Sequence, residues 1–467
     1  MPLCGPLPGR DGDLPHRHAA ARGDRTGAPG GLPPPHPGGG RTGPAFGELS
    51  GPAEEGGSPR RGPFSALRHR RFAIFWVAAA VSTTGTWLSN LAVPFVIFEM
   101  THSATWVGIG AAAQFIPNVL MGPLGGAWAD RFDRRRVLIG TQIFGSLAAL
   151  ILFLVVASGT QNPLLVILPV TLQGIFGGLN LPSWQALVHD LVPREDIQSA
   201  VTLNTMQFNV GRALGPALAG ILIGTLGPSP AFLLNSVSFV FVLVALIAIG
   251  GGARRALAKP RISALRSFGT ALSYIRRQRG ITVSIIVSIA IGILFNPVFN
   301  LTIILASTVY DAGGLELGIM TAAAGVGALI AGPIVASSKH PLSLVTLAGM
   351  LGVGAAVLVL GAVENYIAAI AALFVAGAGF LTVIAGVNTA IQLIVTDRMR
   401  GSVIAVRIML YTLSMAVGAL IMGGIADWLG VRESLMIAGA AMLLLGLLLL
   451  VRRDAGIGRL DDPQDED

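Results

Sequence analysis

From Phe72 onward the chain alternates long apolar runs with short polar breaks. A helix needs about 20 apolar residues to cross about 30 Å of hydrocarbon, and these runs have that length. The pattern predicts spans from Phe72 to Met100, Thr105 to Trp128, Val137 to Ser158, Pro163 to His189, Ala200 to Thr225 and Ala231 to Ile249. After a basic connection, a second set runs from Ile281 to Ser307, Leu315 to Ser337, Leu344 to Val363, Tyr366 to Ile394, Ser402 to Trp428 and Ser434 to Val451. The predicted fold is therefore an all-α membrane protein with about twelve transmembrane helices, in two pseudo-repeated six-helix bundles. The expected organisation is a disordered Pro/Gly/Arg-rich tail (1–63), a first bundle (64–250), a basic linker (251–280), a second bundle (281–453) and an acidic tail (454–467).

Composition agrees. Apolar residues make up 53% of the chain and charged residues only 12%, against about 25% charged in a soluble domain. So little charge cannot coat a water-soluble globule, so lipid is the expected partner of the remaining surface. The 61 glycines suit membrane helices, which associate through close backbone approach rather than through hydrophobic force. The net charge of +8 raises the question of nucleic acid. The placement of the cations argues against it, because they sit in short loops between apolar runs. The single cysteine, Cys4, excludes an intrachain disulfide.

Those loops set an orientation. Alternate connections carry Arg131, Arg134, Arg135 and Arg136, then Arg194, then Arg254 to Arg279 of the linker, then Lys339, then Arg398 and Arg400. The opposite connections carry Arg432 alone. Cytoplasmic loops hold the Lys/Arg excess, so both termini are expected in the cytoplasm, which requires an even number of spans.

A weak internal repeat supports the two sets of six. Gly108, Ala112, Ala113, Gly122 and Pro123 match Gly318, Ala322, Ala323, Gly332 and Pro333 at constant spacing. Gly215, Gly220 and Gly227 match Gly418, Gly423 and Gly430. The second span thus corresponds to the eighth and the fifth to the eleventh. Two halves related in this way, with a site between them near the midplane, are a recurrent transporter plan.

The loop after the second span contains Gly122, Gly126, Asp130, Arg131, Arg134 and Arg135. It resembles the signature G-x-x-x-D-R-x-G-R-[RK] of the major facilitator superfamily, with Asp133 where that family usually has Gly. A carboxylate here is expected to latch the two halves at the cytoplasmic side, through Arg134 or the N-terminus of the eleventh span. The fifth span carries Gly211, Gly215, Pro216 and Gly220. This resembles G-x-x-x-G-P-x-x-x-G of antiporters and exporters in the superfamily. The alternative for these glycines is ordinary helix packing.

Arg212 lies mid-span, where a charge is costly and calls for a wet cavity or a partner. It is a candidate contact for an anionic or carbonyl-rich solute, sharing its face with Thr205 and Asn209; a structural Arg bonded to backbone carbonyls is the alternative. Arg407, closer to the start of its predicted span, could snorkel to the interface. In the superfamily the first, fourth, seventh and tenth spans line the cavity. Here they carry Asn90, Gln173, Asn180, Asn296, Asn300, Asn388 and Gln392, which would suit a moderately polar, amphipathic solute. Each amide could equally bond a neighbouring helix.

No G-x-x-x-x-G-K-[ST] loop encodes an ATP motor, no H-E-x-x-H motif appears, and no catalytic triad is suggested. An enzyme, a metal site and a resident cofactor are accordingly not expected. Val170 stands where many proton-coupled drug exporters of the superfamily carry Arg, and Glu99, Asp190 and Asp311 all fall near span ends. Leu191 to Asp196, Asn204, and Asn209 to Pro216 resemble the branch containing bacterial enterobactin and macrolide exporters. That resemblance implies export of a small amphipathic molecule by alternating access, driven by the proton gradient, from the cell membrane of a bacterium. An uptake permease and a non-transporting sensor or accessory protein are the alternatives.

Overall fold

A computed structural model describes residues 62, 64–250, 264–451 and 457–461. These all lie in one compact unit, Arg60–Asp467. The predicted disordered tail and the first part of the linker fall almost wholly outside the described residues.

Twelve helices are long and apolar enough to cross a membrane. The first six are α1 (Arg70–Thr101), α2 (Ala104–Arg131), α3 (Arg134–Ala157), α4 (Pro163–Asp190), α5 (Ile197–Leu226) and α6 (Ser229–Ile249). The second six are α7 (Arg279–Thr308), α8 (Gly314–Ala336), α9 (Leu342–Ala362), α10 (Tyr366–Ile394), α11 (Asp397–Leu429) and α12 (Val431–Val451). Each helix matches one predicted span, and the chain is a multi-pass membrane protein.

Helix ends explain several of the sparse polar residues. Asn162 and Asn365 accept backbone N–H groups at the starts of α4 and α10, supplying partners the helix itself cannot. Arg71 Nε and Nη2 donate to Ile249 O, satisfying the last carbonyl of α6. Arg432, the lone cation on its face, caps α9 by donating to Gly361 O at 3.0 Å and Ala362 O at 2.7 Å. It also pairs with the exposed Glu364.

Before α1, Ser65–Arg68 form a short 3-10 turn that docks on the start of α5. Ser65 Oγ donates to buried Asp196 at 2.6 Å, and His69 Nε2 lies 2.7 Å from the same carboxylate. At the other terminus Ile457–Leu460 form a second 3-10 turn. Ile457 and Leu460 are buried, and Asp461 accepts from the Ser343 N–H at the start of α9. This part of the predicted acidic tail is folded onto the second bundle. The described part of the linker is the helix Ala264–Arg277, whose Ala271 and Ile275 are buried.

One span departs from regular geometry. In α7, Ile291–Phe295 form a π turn. Pro297 has no N–H to offer the carbonyl of Ile293 four residues back, and its ring would crowd that group. A π turn accommodates the extra residue and turns the Ile293 carbonyl toward Gly418 of α11.

The two sets of six meet along α2 against α11 and α5 against α8. Four of the repeated glycines, Gly108, Gly220, Gly318 and Gly423, lie in these seams. A Cβ on Gly108 would meet Ala419 O, one on Gly423 would meet Ala104 O at 2.5 Å, and one on Gly220 would meet the Gly318 backbone. All these contacts lie toward the end opposite the Arg-rich loops. At the Arg-rich end Gly122, Gly126 and Gly401 face open space, with nothing within 4 Å of the point where a Cβ would stand. The glycine contacts between the halves are thus gathered at the end opposite the Arg-rich loops.

Candidate functional site

Arg212 sits at the midpoint of α5, where the halves meet. Its guanidinium carbon lies 4.5 Å from the ring centre of Phe380, 5.5 Å from Phe299 and 5.7 Å from Trp87. These rings come from α10, α7 and α1, so both halves supply the surround. Gly211 and Gly215 let α5 press against Thr83 and Trp87 of α1, and that approach brings Trp87 to Arg212. Ring faces attract a cation by about 2 kcal/mol or more when desolvated. They hold the guanidinium without neutralising it or taking its hydrogens. Among the described residues Arg212 makes no hydrogen bond or ion pair.

A second arginine extends the cluster. Arg407 of α11 is buried, and its Nη2 donates to Asn388 Oδ1 at 2.5 Å. Its Nε is buried without a partner among the described residues. Arg407 therefore does not snorkel to the interface; it points inward. Tyr411 lies one turn beyond Arg407 on the same face of α11, and Asn296 Nδ2 donates to its hydroxyl at 2.7 Å. Every Asp and Glu of the twelve spans lies within a turn of a helix end, and the spans contain no Lys. The centre thus holds two guanidiniums and a phenol but no carboxylate.

The structure brings together Arg212, Asn296 and Asn388 of the predicted cavity residues. Asn300 and Asn209 are half-buried and make no hydrogen bond among the described residues. Gln173 is half-buried with Nε2 unpartnered among the described residues. Asn90 accepts from Gln114 of α2 at 3.2 Å. Asn180 accepts from Thr141 of α3 at 3.0 Å, so it binds α4 to α3 rather than joining the cluster. Gln392 is exposed near the Arg-rich end of α10.

The loop after α2 is tied to its own half. Arg134 Nη1 pairs with Asp190 Oδ2 of α4 at 2.6 Å. Arg135 Nε donates to Leu246 O of α6 at 2.5 Å, and Arg131 lies over the Phe132 ring. Asp133 caps α3 by accepting from Arg135 N and Arg136 N, with φ −61°. That ordinary φ removes any need for the glycine usual here. Asp130 is exposed and, among the described residues, makes no hydrogen bond or ion pair with Arg134 or α11. The expected Asp130–Arg134 pair is not formed, because Asp190 takes that arginine.

A carboxylate does bridge the halves at the opposite end. Asp427 of α11 accepts from Ser103 Oγ at 2.6 Å, Ala104 N at 2.6 Å and Thr105 N at 3.0 Å. These groups form the N-terminus of α2, where unpaired N–H groups and the helix dipole favour an anion. Sequence reasoning missed this contact; its signal was an acidic residue at a helix end otherwise lacking charge. It also missed Tyr411 and the three rings.

A family model described as transmembrane secretion effector, within the major facilitator superfamily, matches residues 61–458. The chain belongs to this family. Secretion effectors of this superfamily are transporters, not enzymes. The chain is 26% identical over 79% of its length to an uncharacterized MFS-type transporter, YfiS, of Bacillus subtilis, covering 90% of that protein. It is 24% identical over 82% of its length to the enterobactin exporter EntS of Citrobacter koseri, covering 92% of it. It is 20% identical over 81% of its length to macrolide efflux protein A of Streptococcus pyogenes, covering 95% of it. Its fold is similar to that of a bacterial homolog of the human lysosomal transporter Spinster in an inward-facing, occupied conformation. The TM-score is 0.69 at 12% identity, over 87% of this chain and 100% of that one.

Proposed function

We propose that this chain exports a small amphipathic molecule across the bacterial cell membrane by alternating access, driven by the proton gradient. The single observation that carries the reading is the seam. Glycine contacts between the two halves are gathered at one end, and an unneutralised arginine lies midway. We read the Arg-rich end, where such contacts are lacking among the described residues, as splayed, and the positive-inside rule supports placing it and both termini in the cytoplasm. In this orientation the site opens inward, ready to load a solute for export. The efflux relatives support the direction.

The test is accumulation of amphipathic dyes and antibiotics in an efflux-deficient bacterium expressing the chain, with and without a protonophore. Reduced accumulation that the protonophore abolishes, and that Arg212→Ala does not produce, is the expected result. Increased accumulation would make the chain an uptake permease. No change for any compound would remove the support for broad export.

A further inference from the structure

We infer that the Arg212–Tyr411–Arg407 cluster is an anion subsite, and that the exported solute is an amphipathic carboxylate whose own charge responds to the membrane potential. The inference rests on the export reading and names its substrate class.

A guanidinium at mid-membrane depth is costly to bury. A carboxylate would be its usual partner, yet the twelve spans place every Asp and Glu within a turn of a helix end. Arg212 instead faces three rings, which leave its N–H groups free to donate. Arg407 keeps a buried Nε without an acceptor among the described residues. Asn296 donates to the Tyr411 oxygen, leaving the phenol hydrogen to donate elsewhere. Arg407 spends one N–H on Asn388, but each of the three groups keeps a donor hydrogen with no acceptor among the described residues.

A planar carboxylate is the acceptor this arrangement lacks. It can take two parallel N–H bonds from an arginine fork. The rings of Trp87, Phe299 and Phe380 would flank the apolar part of the same molecule. A neutral amphipathic molecule would leave both guanidiniums uncompensated, and a cation would add repulsion.

The same residues bear on coupling. No Asp, Glu, His or Lys stands near the middle of any span to carry a proton through the bilayer. An anion needs none. The cytoplasm is electrically negative, so each 100 mV favours outward movement of one negative charge by about 50-fold. This is the electrical part of the gradient that the export reading invokes.

The experiment compares 2-naphthoate with its neutral isostere 2-naphthamide, binding to the full chain in lipid nanodiscs, with empty nanodiscs as the blank. The acid is expected to bind at least tenfold more tightly than the amide. Arg212→Gln and Arg407→Gln should each remove that preference, with each variant's folding checked by thermal unfolding. Proteoliposomes carrying a valinomycin-imposed potential should then move naphthoate toward the positive side. Equal affinity for acid and amide in the wild-type chain, or no saturable binding of either, would overturn the anion subsite. So would potential-independent naphthoate movement, as to the role of charge. The export reading has its own test in dye accumulation, so neutral dyes leaving cells without any preference for anions would end this inference alone.

Discussion

Asp427 offers a direct way to perturb the closed end of the molecule. Its carboxylate joins α11 to the first turn of α2 through Ser103, Ala104 and Thr105. Asp427→Asn preserves size and one acceptor oxygen but removes the charge and one of the two acceptors. A sheltered hydrogen bond to a charged group contributes roughly 1.5–3 kcal/mol. Asp427 is exposed, so solvent screening brings the polar contribution down toward the ~0.2–1 kcal/mol of surface pairs. The helix N-terminus adds about 0.3–1 kcal/mol for an anion. The closed seam should therefore lose roughly 0.5–2 kcal/mol, a factor of about 2–30 in the ratio of closed to open. Ala104 is buried beneath this seam and the only native cysteine is Cys4. In a Cys4→Ser, Ala104→Cys chain, a membrane-impermeant maleimide added outside cells reads seam opening. Asp427→Asn should raise the labelling rate by about tenfold. Rates within twofold of each other would refute a gating role for the carboxylate.

Other seams and caps give further tests. Gly220→Val places methyl groups where the Gly318 backbone now lies, so transport should fall by more than tenfold while membrane insertion, followed by protease protection, is unchanged. Asp130→Asn should slow transport in a correctly inserted protein, because the exposed carboxylate is free to meet the start of α11 when the splayed end closes; an unchanged rate removes that latch. Asp133→Ala should cost about 1 kcal/mol in thermal unfolding, whereas Asp133→Gly should cost only a few tenths, as N-cap substitutions do.

The spans were legible because bilayer thickness sets their length and lipid dictates their composition. The repeat was legible because only glycine permits backbone contact, and the seams need such contact at Gly108, Gly220 and Gly423. Arg212 stood out because a mid-span charge is rare. Arg407 did not, because hydropathy started its helix at Ser402 whereas α11 begins at Asp397. The ten residues before Arg407 carry it about 15 Å along the helix, too deep to reach the interface. Trp87, Phe299 and Phe380 were invisible, since an aromatic ring facing a guanidinium has the same sequence signature as one facing lipid. Asp130 and Asp190 compete for Arg134, and sequence order alone favoured the nearer one.

The π turn of α7 has a consequence for helix phase. One extra residue in a turn rotates everything beyond it by about 100° relative to an unbroken α-helix. Asn296 and Phe299 lie just past that point, and both reach groups of the other helices only in the rotated phase. Deleting Leu294 would restore the regular winding. It would swing the amide away from Tyr411 and the ring away from Arg212, while leaving the hydropathy and length of the span nearly untouched. A single backbone insertion thus acts as an angular setting for one of the three rings around Arg212 and for the amide that meets Tyr411.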